Sequence, residues 1–365
     1  MRRARAAYVL YAADGSVQAQ GEGDAELGDD ALTIGDVTLH WLDADTATAA
    51  DYRIACDLWP SGRLVLSQLG RRFDTFAAQL RRYRNAGRVA GMLAHGVAMP
   101  EVFAGALLGD GAPRPADFQV YPTHVTVVPQ DGDPFQVPLG ALTGIAAQEE
   151  PPAVALVTGQ GRTVAGQLAR KRDAFAHAVT KARDAQATLL AEATGQGGFA
   201  DGLGVPRSRV SGFDALLERF TAPDRLEGAR TLCAKAQGGE PHLGFVQLLD
   251  PEGDAAASPE ALPEHWASFL LVPVGALTVL EILAGPSAAT YVFRGGIEAV
   301  SRDLQMLHFR RSPLALTGQQ AELTAANPHR LALRKLESLR RLREGTTARL
   351  IHTESWVKAL QNALP

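Results

Sequence analysis

The 25 residues from Gly62 to Ala86, GRLVLSQLGRRFDTFAAQLRRYRNA, return without a gap at Gly161 to Ala185 as GRTVAGQLARKRDAFAHAVTKARDA. Eleven of the 25 positions are identical, among them Gly62/Gly161, Gln68/Gln167, Phe76/Phe175 and Arg84/Arg183, where unrelated segments would share about two. Any fold for this chain must therefore build the same local unit at least twice. A shorter echo, VPLGALT at Val137–Thr143 against VPVGALT at Val272–Thr278, agrees at six of seven positions and extends the expectation to a third, more divergent copy.

The repeated stretch changes period halfway. Before it, Tyr52, Ile54, Cys56 and Leu58 alternate with Arg53, Ala55 and Asp57, the period of a half-buried strand. Pro60-Ser61-Gly62 then turns the chain. From Phe73 the apolar residues Phe76, Ala77, Leu80 and Tyr83 recur at helical spacing, and the helix runs to about His95 with Gly87 and Gly91 as weak points. Each unit thus reads as several antiparallel strands followed by one amphipathic helix. This order places a first unit at 1–96, a Gly- and Pro-rich linker at 97–116 and a second unit at 117–194. A helical connector follows at 195–238, then a divergent third unit with extra C-terminal helices at 239–365. Within the last, Asp250–Glu264 reads as an insertion. Asn327-Pro328 reads as the start of a helix with Ala332, Leu333, Leu336, Leu339 and Leu342 inward, and a short helix at Glu354–Leu364 closes the chain.

The hairpin ending in LWPSGRLVLSQLG, the helix carrying Phe73, Phe76 and Leu80, and the second copy GRTVAGQLARKRDAF resemble the pleckstrin-homology-like superfold. The resemblance implies an α+β, mainly β chain of three tandem small barrels, each closed by its C-terminal helix. Phosphoinositide-binding members of that superfold resemble one another in a basic cluster on the first hairpin; here Glu22–Asp30 is acidic and holds no base. Tandem units of this kind also resemble the middle regions of histone chaperones, which would imply a basic protein partner.

At 365 residues with 46% hydrophobic and 21% charged, the chain can bury several ordinary cores. A net charge of −4 argues against a protein that coats nucleic acid or an anionic bilayer over its whole surface. Cys56 and Cys233 stand alone without a CxxC, which suits a reducing cytoplasm. The opening MRRARAAYVLYAADG reaches Asp14 before a signal core of about 7–15 apolar residues, and no run approaches the ~20 of a membrane span.

Chemistry-bearing motifs are sparse. None of the nine histidines falls in a metal-binding spacing, and His352-Thr353-Glu354 reads as a local contact near Trp356. Asp43, Asp45 and Asp51 lack the glycine and distal glutamate of a calcium loop. GQGRT and GQGGFADGLG lack the Lys-Ser/Thr of a phosphate loop, and there is no GxSxG. No catalytic residue and no cofactor is expected.

Two sets of cations remain as candidate binding residues. Arg71/Arg72 and Arg170/Lys171 recur at the start of the repeated helix. Arg340, Arg341 and Arg343 belong to a segment, 329–349, whose seven Lys and Arg outnumber two glutamates by five. The reading is a non-enzymatic scaffold that engages a protein partner through repeated units. The alternative is an anionic lipid or nucleic-acid binder acting through the C-terminal basic helix.

Overall fold

The computed structural model describes residues 2–96, 98–130, 132–197, 204–221, 223–249, 266–284, 287–307, 309–310, 329–351 and 356–364. The first unit runs β1 (Arg3–Tyr11), β2 (Val17–Leu27), β3 (Ala31–Ile34), β4 (Val37–His40), β5 (Thr48–Ala50), β6 (Arg53–Asp57) and β7 (Arg63–Ser67), then α1 (Phe73–Gly91). The second repeats it with β8 (Glu101–Leu108), β9 (Arg114–Val120), β10 (His124–Pro129), β11 (Phe135–Pro138), β12 (Leu142–Gln148), β13 (Ala153–Thr158), β14 (Gly161–Gly166) and α2 (Arg172–Thr194). Both are antiparallel sheets in one order, β4-β3-β2-β1-β7-β6-β5 and β11-β10-β9-β8-β14-β13-β12. The ladders stay open, so the expected closed barrels are corrected to sheets with free edges.

Each helix plugs its own sheet. Phe76 and Phe175, the fourth residues of α1 and α2, are both fully buried, the first among Ile54, Leu64 and Leu66 and the second among Phe103, Phe118 and Leu156. The turn that launches each helix is also copied. Gln68 and Gly70 hold φ of 60° and 54°, and Gln167 and Ala169 hold 53° and 50°. An L-residue with a side chain is strained there by about 1–2 kcal/mol. Ala169→Gly should therefore raise the stability of the second unit by about 1 kcal/mol in urea unfolding, after its entropy cost in the unfolded chain. A neutral or destabilising result would show that no strain is stored at this turn.

Several boundaries move. The stretch 97–116 holds β8 and the start of β9, and β8 joins β14 through Leu108↔Val164 to complete the second sheet. Gly105 is there for clearance: a Cβ at it would stand 2.7 Å from the Gly166 carbonyl oxygen. The stretch 195–238 contributes β15 (Val205–Pro206), α3 (Phe213–Phe220) and α4 (Pro223–Ala234), and Phe213, Leu217 and Leu232 share the core of the third sheet with Leu243 and Phe245. Tyr52, expected inward, is 74% exposed, because Asp51 and Tyr52 at φ of 51° and 56° form the two-residue turn between Ala50 and Arg53.

The third unit departs from the copy. It holds β16 (His242–Leu249), β17 (Trp266–Val274), β18 (Leu277–Ala284), β19 (Ser287–Arg294) and α5 (Ile297–Leu304), then β20 (Phe309–Arg310), α6 (Arg330–Lys335), α7 (Glu337–Gly345), β21 (Thr346–Ile351) and α8 (Trp356–Ala363). Its order is β15-β16-β17-β18-β19-β21 with β20 beside β16, a meander lacking the first-to-last strand pairing of the other two. The echoed heptapeptide explains the misreading. Val137–Thr143 makes a corner between β11 and β12, which do not pair, whereas Val272–Thr278 makes the tight β17–β18 hairpin. The expected features at Asp250–Glu264, Asn327-Pro328 and His352-Thr353-Glu354 lie outside the described residues.

Candidate functional site

The repeated cations stand apart from one another. Arg71 and Arg72 lie in the 3-10 turn Gly70–Arg72, and Arg170 and Lys171 in the 3-10 turn Ala169–Lys171. All four are exposed, and each pair stays on its own unit. The C-terminal cations are largely matched. Arg340 donates to Glu337 at 2.5 Å and Glu344 at 2.9 Å, and Arg341 donates to Asp303 at 2.5 Å. Arg343 is exposed on α7. The excess seen in 329–349 therefore shrinks on folding, because its partners include residues remote in sequence.

The rest of that excess is carried by α6, which docks where the first two units meet. Its Leu331 is fully buried among Val89, Met92 and Ala94 of the α1 end and Val128 of β10, with Leu42 and Leu336 at the margin. The two glycines that weaken α1 as a helix make this seat. A Cβ at Gly87 would come within 2.7 Å of the Trp41 Cβ, and one at Gly91 would collide with Leu42 and stand 3.3 Å from the Leu331 Cβ.

Around the apolar seat, among the described residues, five cations face three carboxylates. Arg330, 3% exposed, is held by Asp43 through two hydrogen bonds of 2.7 and 3.2 Å. Lys335 sits 2.8 Å from Asp45 and 3.6 Å from Asp133. Arg334 donates to the Leu42 carbonyl at 2.7 Å and stacks 3.9 Å over the Trp59 ring. Below them Arg84 donates to the Ala44 and Asp45 carbonyls, and Arg88 donates to the Ala44 carbonyl at 3.0 Å while its other arm meets Asp133. Burial, reinforced by the Arg84 charge, pushes the Arg88 guanidinium down to about 10, and burial lowers Arg334 as well. Arg183, the repeat partner of Arg84, pairs instead with its neighbour Asp184. Identity in the repeat did not carry the role across.

Strand β10 seals the junction because both its faces are covered. Val125 and Val127 enter the second core, while His124, Thr126 and Val128 face the first unit. The Ala94 carbonyl accepts from His124 Nε2 at 3.3 Å and from the Thr126 hydroxyl, and His124 Nδ1 accepts from the Thr123 hydroxyl at 3.0 Å. Burial pushes the imidazole down to about 3, so it is neutral at ordinary pH.

The second unit presents an open edge. Among the described residues strand β12, LTGIAAQ, pairs only with β13; it carries neither charge nor proline, with Ala146 and Ala147 exposed. A bulge between Leu142 and Gly144 precedes five regular residues. On another side of the same unit a groove of about 460 Å³ runs along Ala178, Ala182 and Ala185 of α2, with Met99 95% exposed at its rim.

Apart from the basic residues of 329–349, none of these residues carries a functional signal in the sequence; alternation locates a strand but not which strand ends a sheet. Among the described residues no group of three or more His, Cys, Asp or Glu could hold a metal ion, and no helix is long and apolar enough to cross a membrane. Neither a family model nor a curated protein matches this chain.

Proposed function

We propose that this chain is a non-catalytic scaffold of pleckstrin-homology-like units that takes an extended segment of a protein partner onto the β12 edge. The superfold reading is supported by the shared strand order of the first two sheets and by the helix that plugs each one. Fold alone does not give a function. The observation that carries the proposal is β12 itself. Exposed edges are ordinarily blunted with lysine, proline or very short strands, and an uncharged regular edge is a template for another chain. Strand addition draws affinity from the backbone and selectivity from alternate side chains. The two thiols, Cys56 and Cys233, are free, which suits a reducing compartment such as the cytoplasm.

The test is selection of extended peptides from a displayed random library, followed by amide exchange. Selected peptides should slow exchange in β12, and Ala146→Lys/Ala147→Lys should weaken them by about tenfold or more. Peptides that protect another surface and ignore the lysines would overturn the proposal.

A further inference from the structure

From 330 to 345 the sequence has the pattern of one amphipathic helix: Ala332, Leu333, Leu336, Leu339 and Leu342 fall three or four apart in most steps, and neither glycine nor proline intervenes before Gly345. The folded chain breaks it at Leu336, whose φ of −80° and ψ of 104° are extended. Leucine is a strong helix former, so nothing local demands that break. Tertiary contacts impose it. On one side Asp43, Asp45 and the Leu42 carbonyl hold Arg330, Lys335 and Arg334; on the other Asp303 holds Arg341 and the third core takes Leu342. A local preference opposed by packing marks an element with two competing arrangements.

The charges oppose docking too. Seating α6 carries three cations to a junction that already contains Arg84 and Arg88, where Asp43, Asp45 and Asp133 meet them. Taking cations out of water is costly, and burial, with the Arg84 charge adding to it, depresses the Arg88 guanidinium.

We propose that α6 is a releasable strap that pivots at Leu336 and, once free, continues α7 as one basic amphipathic helix that lies on an anionic lipid surface. The docked form is autoinhibited, since Arg330, Arg334 and Lys335 are spent on the first two units and Leu331 is buried between them. Release adds those cations to the exposed Arg343 and uncovers Leu331 and Leu336, while Arg341 on Asp303 and the buried Leu342 keep α7 on the third unit. Leucines beside cations suit the interfacial zone of a bilayer. The segment has no aromatic residue to stack on bases, which disfavours single-stranded nucleic acid.

The experiment is co-sedimentation of the full chain with phosphatidylcholine vesicles with and without phosphatidylserine. Asp43→Asn/Asp133→Asn removes two of the strap's anions, and binding to the phosphatidylserine vesicles should rise by about tenfold or more. A staple gives the opposite arm independently. A Cβ at position 91 stands 3.3 Å from that of Leu331, close to the roughly 3.5–4.5 Å of a disulfide. The variant Leu42→Ala/Gly91→Cys/Leu331→Cys, with Leu42 trimmed to make room, should lose vesicle binding when oxidised and regain it on reduction. Equal binding in the two redox states overturns the strap. So does a folded Asp43→Asn/Asp133→Asn protein that binds no better than the parent, or one that gains affinity for duplex DNA and not for vesicles.

Discussion

Acidification from pH 7 to pH 4 should cost the folded chain about 3 kcal/mol through His124 alone. The imidazole is 2% exposed, and burial holds it at about 3 in the folded state, against about 6.5 in an unfolded chain. Above pH ~6.5 it is neutral in both states and its contribution is fully present. Between those values the unfolded chain takes up a proton that the folded chain refuses, so stability falls as pH falls, by up to about 1.4 kcal/mol per unit, and the loss levels off below pH ~3. His95 adds to the depression by its charge, and the Ala94 carbonyl opposes it by accepting the Nε2 proton. Urea unfolding of the parent and of His124→Gln across this range separates the residue from the acidic background. The parent should show the steeper loss. Parallel curves would mean that the imidazole is reached by solvent in the folded protein.

Phe175→Ala should destabilise the second unit by about 3–5 kcal/mol, and Phe76→Ala the first by a similar amount. Each ring is fully buried, and Phe175 also lies 5.3 Å from the ring of Phe103 and 5.5 Å from that of Phe118. Removing it leaves a cavity under the helix and loses both ring contacts. Amide exchange should report the damage locally, with β8–β14 losing protection before the third sheet does. A loss below about 1 kcal/mol at either position would show that the helix does not seal its sheet. A large loss at one and not the other would separate the units energetically despite their shared order.

The two phenylalanines were legible because each sits on a helical stripe repeated ninety-nine positions apart. The strap was not. Arg330 and Asp43 are separated by 287 residues, and nothing in local spacing pairs them. In the sequence Asp43 and Asp45 read only as a poor calcium loop. Gly87 and Gly91 read as helix weaknesses until Trp41, Leu42 and Leu331 were seen against them. The third unit misled for a related reason: a heptapeptide with six identities turned a corner in one place and a hairpin in another.

By itself the sequence determined the duplication, the change from strand to helix period inside each copy, and the phenylalanines that plug the first two sheets. Those are properties of single elements, written in the spacing of neighbouring side chains. Only the tertiary structure decided which strands lie at the edges, where the third unit departs from the first two, and that the C-terminal arginines meet carboxylates of earlier units. Pairing between distant segments depends on how whole elements pack, and local periodicity carries no record of the partner.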